Sequence, residues 1–587
     1  MSGAAAAGPT IATPDRRSGS GRTARFHAVG AGGFTRAGDP PPYNAHRVMT
    51  ESTSFKRGRR APAVAGALLA ILSGTLAGIA GAQALDASSP PGPTTSARND
   101  PTAGLRRVTV DASKTAGRLN SLLGVNGAPA PGFHKPIRFQ FGGWNVPEET
   151  DATPGYRQAR IDLIRTHDAY GPGDIDASFP DAPNTLIDGA RTALGIFPNP
   201  DADPNDPKSY HFGPTDKLIA SIKGVGAEVI FRLGRSEGSN VDPPKNFDRY
   251  AEVARHIVLH YNRGWANGFH YGIRYWEVWN EPDLGRLFWG GTAPEYFTLY
   301  EKIARAVKKA DRGALVGGPA IARPNDPHNP WLDDFLEYAR AKRLPLDFYS
   351  WHWYATDSAD PRDFVRIGAS IRARLDKHGF RKTLSMLNEW NYGLMEPLPS
   401  DMHRATFITS SLIYMQRAPI DVAALYRADN VFGPRGTTPH KTGYALIALG
   451  RMKDTPVPLK TSGADDGGFA VQAARSKNGD TVQVLISNYQ IPSQFIGPRG
   501  GPDVLTVGTE FSVDLLPRRA VSYADNQGYD LTVGHLEAGK HYTIERYRIS
   551  ATSDLSLVDT SMGTGPSIHL YAALPPPGIE LVVLKKH

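Results

Sequence analysis

Cysteine is absent from all 587 residues. That one absence removes disulfides, thiolate nucleophiles, cysteine-ligated zinc and a lipid-modified N-terminal cysteine together. A strong charge field is missing as well, although the formal net charge is +8. Arg16, Arg17, Arg22, Arg25, Arg36, Arg47, Lys56, Arg57, Arg59 and Arg60, set against Asp15, Asp39 and Glu51, place +7 of it in residues 1–60. The rest of the chain is nearly neutral and offers no footprint for a polyanion, so nucleic acid is not expected as a partner. No internal repeat at a fixed period is visible.

Long apolar runs are scarce, and the one that stands out is 61–80, an uncharged stretch of Ala, Leu, Ile, Val and Gly. It follows the basic Lys56-Arg57-Gly58-Arg59-Arg60 and closes on Ala80-Gly81-Ala82 and Ala82-Gln83-Ala84, both of the small-x-small form that signal peptidase cleaves. Residues 1–84 therefore read as a basic leader with a signal peptide cleaved near Ala82 or Ala84, and the chain is expected to be secreted or periplasmic. Met49 fits as the start, which would leave 1–48 upstream of the signal. A membrane anchor is the competing reading, because about 20 apolar residues can span a bilayer; the flanks favour cleavage, and no stable membrane partner is expected.

Residues 85–105 are rich in Pro, Ser, Thr and Gly and read as a disordered linker. From 106 to 454 short β-branched or aromatic runs alternate with helical patterns. The runs are 122–126, 162–167, 227–233, 275–281, 314–320, 347–354, 384–390 and 422–426. Eight such runs spaced as βα units predict a (β/α)8 barrel. Thr292-Ala293-Pro294-Glu295 is a capping box with Pro in the first turn, opening a helix through Tyr296, Phe297, Tyr300, Ile303, Ala304 and Val307. Phe364, Ile367, Ile371 and Leu375, stopped by Gly379, make another. The helical period then disappears, and 455–587 reads as an antiparallel β-sandwich to which 107–111 could add a strand.

The chemistry gathers at two strand ends. The fourth run closes Trp276-Glu277-Val278-Trp279-Asn280-Glu281-Pro282 and the seventh closes Leu387-Asn388-Glu389-Trp390-Asn391. Strand alternation would put Glu277, Trp279 and Glu281 on one face. Catalytic groups of barrel enzymes sit at the C-terminal ends of the strands. Two carboxyl groups facing one cleft are the minimum for glycoside hydrolysis, one carrying a proton for the leaving oxygen and the other attacking or activating water.

Asn280-Glu281-Pro282 and Glu389 resemble the large barrel clan of retaining glycosidases. Ile164-Arg165-Thr166-His167, Ser350-Trp351-His352-Trp353-Tyr354 and the terminal β-sandwich are similar, within that clan, to glycoside hydrolase family 39, the family of β-xylosidases and α-L-iduronidases. The resemblance spans about residues 106–587. It implies Glu281 as general acid/base, Glu389 as nucleophile, Asn280 on the sugar 2-hydroxyl, and His352 or Tyr354 orienting the nucleophile or touching sugar hydroxyls. A glycoside or polysaccharide is the expected substrate, with no metal or organic cofactor; oligomeric state is not legible. Glu281 needs a raised pKa, which the carboxylate of Glu389 would supply by repulsion. Arg165, His167 and Trp390 are further substrate-side candidates, and Trp279, Trp351, Trp353 and Trp390 could offer flat faces to pyranose rings.

The eighth run departs from the xylosidase pattern, reading Leu425-Tyr426-Arg427-Ala428-Asp429-Asn430 with Lys441 soon after. Arg427 or Lys441 could pair with a uronate carboxylate, as in the iduronidase branch. Two other readings compete: a metal-dependent barrel hydrolase using His167, Glu281 and His352, and a carbohydrate-binding protein without activity.

Overall fold

The computed structural model describes residues 102, 104–133, 150–179, 193–237, 239–324, 326, 329, 331–355, 360–392, 400–432, 439–463, 468–490 and 527–587. The basic leader, its apolar run, and all but the end of the 85–105 linker lie outside these residues. Among the described residues no helix is long and apolar enough to cross a membrane.

Eight parallel strands close into a barrel. We number them β1 (Gly124–Asn126), β2 (Leu163–Arg165), β3 (Glu228–Leu233), β4 (Tyr275–Val278), β5 (Leu315–Ile321), β6 (Phe348–Ala355), β7 (Leu384–Tyr392) and β8 (Val422–Leu425). Each is followed by a helix: α1 (Thr153–Ala159), α2 (Gly213–Gly224), α3 (Phe247–Arg263), α4 (Ala293–Ala310), α5 (Trp331–Ala341), α6 (Asp363–Lys377), α7 (Asp401–Met415) and α8 (Lys441–Arg451). All eight runs read from the sequence are strands of this barrel.

Local chemistry explains where the helices start and stop. Thr292 caps α4 through a reciprocal box, Glu295 Oε2 accepting from the Thr292 backbone N–H at 2.7 Å. The buried face of α4 is Tyr296, Phe297, Leu299, Tyr300, Ile303, Ala304 and Val307, at the spacing of one helical stripe. Gly379, just past α6, has φ +87°, a left-handed conformation that costs glycine little.

Helix α7 differs: nearly every residue from Met402 to Met415 is buried. A helix covered on all sides has neighbours on all sides, and here the second neighbour is the C-terminal sheet. Ser410 donates to the Gly468 carbonyl at 2.7 Å, Tyr414 to that of Phe469 at 3.1 Å, and Ser487 to that of Thr406 at 3.0 Å.

Among the described residues, that sheet has nine strands and is antiparallel but for one pair. Arg106–Thr115, which precedes the barrel, lies inside it, antiparallel to Val457–Ser462 and parallel to Gly528–Gly534. Val108, Val110, Leu459, Val471, Val484, Leu531, Ile544, Ile568 and Leu584 share one apolar core. Strands from both ends of the sheet thus enclose a common interior, as the two layers of a sandwich do.

Candidate active site

Strand β4 ends at Val278, earlier than the sequence reading had it. Trp279 and Glu281 then take left-handed backbone, φ +72° and +41°. Alternation therefore fails after Val278: Trp279 leaves the face expected to hold Glu277 and Glu281 and packs edge-on against Trp289, ring centroids 5.1 Å apart. Left-handed backbone at a non-glycine residue is strained and concentrates at functional sites.

Glu389 arrives by a different device. The β6–β7 register shifts between Leu387 and Glu389, so that Leu387 pairs with Trp351 and Glu389 with His352. A bulge of this kind re-aims side chains, and both Asn388 and Glu389 reach groups inside the barrel.

Arg165, fully buried on β2, ties the site together. Its Nη1 donates to Glu389 Oε2 at 2.8 Å, its Nη2 to Asn280 Oδ1 at 2.6 Å, and its Nε to Glu277 Oε2 at 2.7 Å. From β6, Tyr354 donates its hydroxyl to Glu389 Oε1 at 2.5 Å, and His352 Nδ1 lies 2.7 Å from Glu281 Oε1 and 3.7 Å from Glu389 Oε2. His167 Nε2 stands 3.9 Å from Glu389 Oε2. Glu281, His352 and Glu389 each offer an atom within 4.8 Å of the others.

Burial pushes Glu281 well above the ordinary carboxylate range, with the charge of Asp283 adding to it. The expectation that Glu389 would be the cause is corrected: loss of water is the larger effect, and Asp283 leads the charges. Burial also raises Glu389, opposed by His352, by the guanidinium of Arg165 and by the Tyr354 hydroxyl. Glu281 is thus the better proton holder of the pair. Burial brings His352 down to about 4, leaving a neutral imidazole near neutral pH.

Glu281, His352 and Glu389 converge closely enough to suggest a cation site. Yet Arg165 already sets a positive charge against Glu389, and His352 Nδ1 is engaged with Glu281. The donor set is that of a proton-carrying pair, and we assign no metal to it.

Seven sequence candidates meet here: Glu281, Glu389, Asn280, His352, Tyr354, Arg165 and His167. Two do not. Trp390 follows Glu389 on the strand and faces the helices, fully buried and edge-on to Phe364 of α6 at 5.3 Å. Arg427 is committed elsewhere: Nε and Nη2 bond Asp429, Nη2 also the Phe133 carbonyl, and Nη1 the carbonyls of Asp168 at 2.7 Å and His167 at 3.5 Å. No donor remains for a uronate. Lys441 pairs with Asp554 of the sheet at 2.5 Å. Trp279 and Trp351 are buried too, so neither offers an open face. The sequence reading gave no role to Glu277 and Asn388, joined by a 2.5 Å hydrogen bond from Asn388 Nδ2. The cue was available, since Glu277 lies in the same run as Glu281, four residues before it, and Asn388 adjoins Glu389.

A closed eight-stranded parallel barrel with facing carboxylates at the ends of β4 and β7 defines a glycoside-hydrolase barrel. The profile described as Glycosyl hydrolases family 39 matches residues 233–376. The crystal structure of a glucosidase from Croceicoccus marinus is 30% identical with TM-score 0.68, covering 82% of this chain and 99% of that one. The chain belongs to glycoside hydrolase family 39. A beta-xylosidase of Caldicellulosiruptor saccharolyticus is 26% identical over 344 residues, and one of Geobacillus stearothermophilus 31% over 254 residues. These matches cover 53% and 37% of this chain, and the chain spans 65% and 49% of those relatives.

Proposed function

We propose that the protein is a retaining glycosidase acting on a glycoside of a neutral pyranose, with Glu389 as nucleophile and Glu281 as acid/base. The observation that carries this is the approach of the two carboxylates, one oxygen of each lying within 4.8 Å of one oxygen of the other. Retaining pairs stand about 5–5.5 Å apart, whereas inverting pairs leave about 6.5–9.5 Å for an interposed water. In the first step Glu389 bonds to the anomeric carbon as the glycosidic C–O bond breaks, and the proton of Glu281 goes to the leaving oxygen. In the second, water gives its proton to Glu281 and its oxygen displaces Glu389.

Several features support the assignment of roles. Arg165 and Tyr354 favour the ionised form of Glu389, while burial keeps Glu281 protonated. Asn280 Nδ2 is a buried donor with no partner; the residue adjoins Glu281 in the chain and is linked to Glu389 through Arg165. A sugar hydroxyl would satisfy it, and a 2-hydroxyl bond of this kind strengthens in the transition state. The engagement of Arg427 argues against a uronide, and the named relatives, beta-xylosidases and a glucosidase, point to xylose or glucose.

The test pairs two measurements on aryl xylosides and glucosides. Proton NMR of the first-formed product should show retained anomeric configuration, and a 2-deoxy-2-fluoro glycoside should leave a covalent adduct on Glu389 by mass spectrometry. Inverted product would replace the mechanism. Absence of hydrolysis across the panel would remove the function. We also propose export as the setting, supported by the leader pattern; secreted protein should begin near Gln83 or Leu85, and an intact residue 1–84 segment on secreted protein would refute it.

A further inference from the structure

We propose that Glu277 is a positioning residue of this reaction, holding Arg165 and Asn388 at once and sharing the guanidinium charge with Glu389. The inference rests on the retaining-glycosidase reading above. Glu277 is completely buried on β4. Its Oε2 accepts from Arg165 Nε and its Oε1 from Asn388 Nδ2. Arg165 places its remaining nitrogens on Glu389 and Asn280, and Asn388 precedes Glu389 at the bulge. Asn126 fixes the same bulge from β1, its Nδ2 donating to the Asn388 carbonyl at 2.9 Å. One carboxylate therefore braces the cation that faces the nucleophile and the residue adjoining it.

The charge changes of the reaction give this brace its purpose. Before the first step Glu389 carries the negative charge and Glu281 the proton. Afterwards Glu389 is a neutral ester and Glu281, having given its proton to the leaving oxygen, is the anion. Arg165 has no exposure to water and would lose a carboxylate partner at that moment. A buried unpaired cation is strongly unfavourable. Glu277 takes no part in bond making, so Arg165 keeps one partner throughout. Before the step, the same pairing limits how far Arg165 can stabilise the Glu389 anion and weaken it as a nucleophile.

The groups facing Glu389 are Arg165 from β2, His167 just past it, Glu281 beyond β4, His352 and Tyr354 from β6, and Tyr426 after β8. Those facing Glu277 are Arg165, Asn388, His352 and, from α4, Tyr296. Replacing Glu277 by Gln removes one negative charge and leaves the rest. Glu389 then has the whole of Arg165, so its pKa falls. The acid limb of kcat/KM should move to lower pH by about one unit, at the low end for a charge acting within several Å, and kcat/KM at the optimum should drop about tenfold or more.

The experiment measures pH profiles of the full chain, with thermal melting of each variant alongside. Glu277→Asp keeps the charge but shortens the reach, so its acid limb should stay near that of the wild type while its rate falls. A packing role alone would lower rate or melting temperature in both variants and leave both limbs in place, which overturns the proposal. Should Glu277→Gln not fold, Asn388→Ala carries the test with opposite sign: Glu277 then leans wholly on Arg165, and the limb should rise. An unmoved limb there overturns the proposal too. Wild-type protein that forms the 2-fluoro adduct on Glu389 keeps the parent reading standing in either case; wild-type protein without activity removes both.

Discussion

Tyr354 donates to Oε1 of Glu389 while Arg165 holds Oε2, so each oxygen of that carboxylate has its own donor. A donor to the charged form lowers a carboxylate pKa. Burial raises the pKa of the Tyr354 hydroxyl, so it keeps its proton over the working range. Tyr354→Phe should therefore raise the Glu389 pKa and move the acid limb of kcat/KM to higher pH, with kcat/KM about 10- to 100-fold lower, the worth of one hydrogen bond to a charged group. A pH–rate profile on an aryl glycoside checks it; an unmoved limb would break the link between Tyr354 and the nucleophile.

Glu281 holds its proton above the usual carboxylate range because it is buried. Activity on substrates with poor leaving groups should then decline as pH rises through that raised value. Glu281→Gln should abolish this basic limb and slow such substrates by about 10² to 10⁴, the usual worth of general acid catalysis, with far less effect on the first step for activated aryl groups. A group whose folded pKa is raised stabilises the fold while protonated and loses that contribution as pH rises. The Gln variant should consequently melt higher than wild type at alkaline pH, which calorimetry can read.

Asn280 presents its amide oxygen to Arg165 and leaves Nδ2 without a partner. If the sugar 2-hydroxyl completes it, Asn280→Ala should cost about 10²-fold or more in kcat/KM on ordinary glycosides, the scale of removing a transition-state donor. On the 2-deoxy glycoside wild type and variant should differ little. An equal loss on both substrates would assign Asn280 to holding Arg165 instead.

Arg427 and Asp429 are buried together, with the remaining guanidinium hydrogens on backbone carbonyls. Arg427→Met removes the buried ion pair with Asp429 and should destabilise the fold by about 3–5 kcal/mol. Chemical denaturation measures it. The ratio of activity on uronides to that on neutral glycosides should not change, and a selective loss on uronides would return Arg427 to the substrate side.

The barrel was legible because each strand is a short apolar or aromatic run bounded by breakers, and because the Thr292–Glu295 box marks a helix start without help from tertiary contacts. The site was legible where motif and strand end coincide, as at Asn280-Glu281 and Glu389. What escaped depends on departures from regular geometry. The bulge at β7 turns Asn388 and Glu389 both inward and sends Trp390 to the helices, an outcome alternation alone could not indicate. At Arg427 the cue was local: Asp429, two residues on, can close back on it, and a buried arginine so satisfied is unavailable to substrate. The length of β4 was overread because nothing in Trp279 or Glu281 advertises left-handed backbone.

The strand Arg106–Thr115 carries a consequence for how the chain reaches this state. It is made before the barrel, yet its partners, Val457–Ser462 and Gly528–Gly534, are made after it. During synthesis it must wait, with Val108 and Val110 uncovered, until the whole barrel has emerged. Contacts this distant in sequence close late and slowly, and an apolar strand without partners is prone to pair with the wrong neighbour. Arg107, Thr109 and Asp111, which alternate with Val108 and Val110 on that strand, are polar or charged. Such residues are the usual guard against premature association at an open edge, so the strand carries its own protection for the interval in which it stands alone.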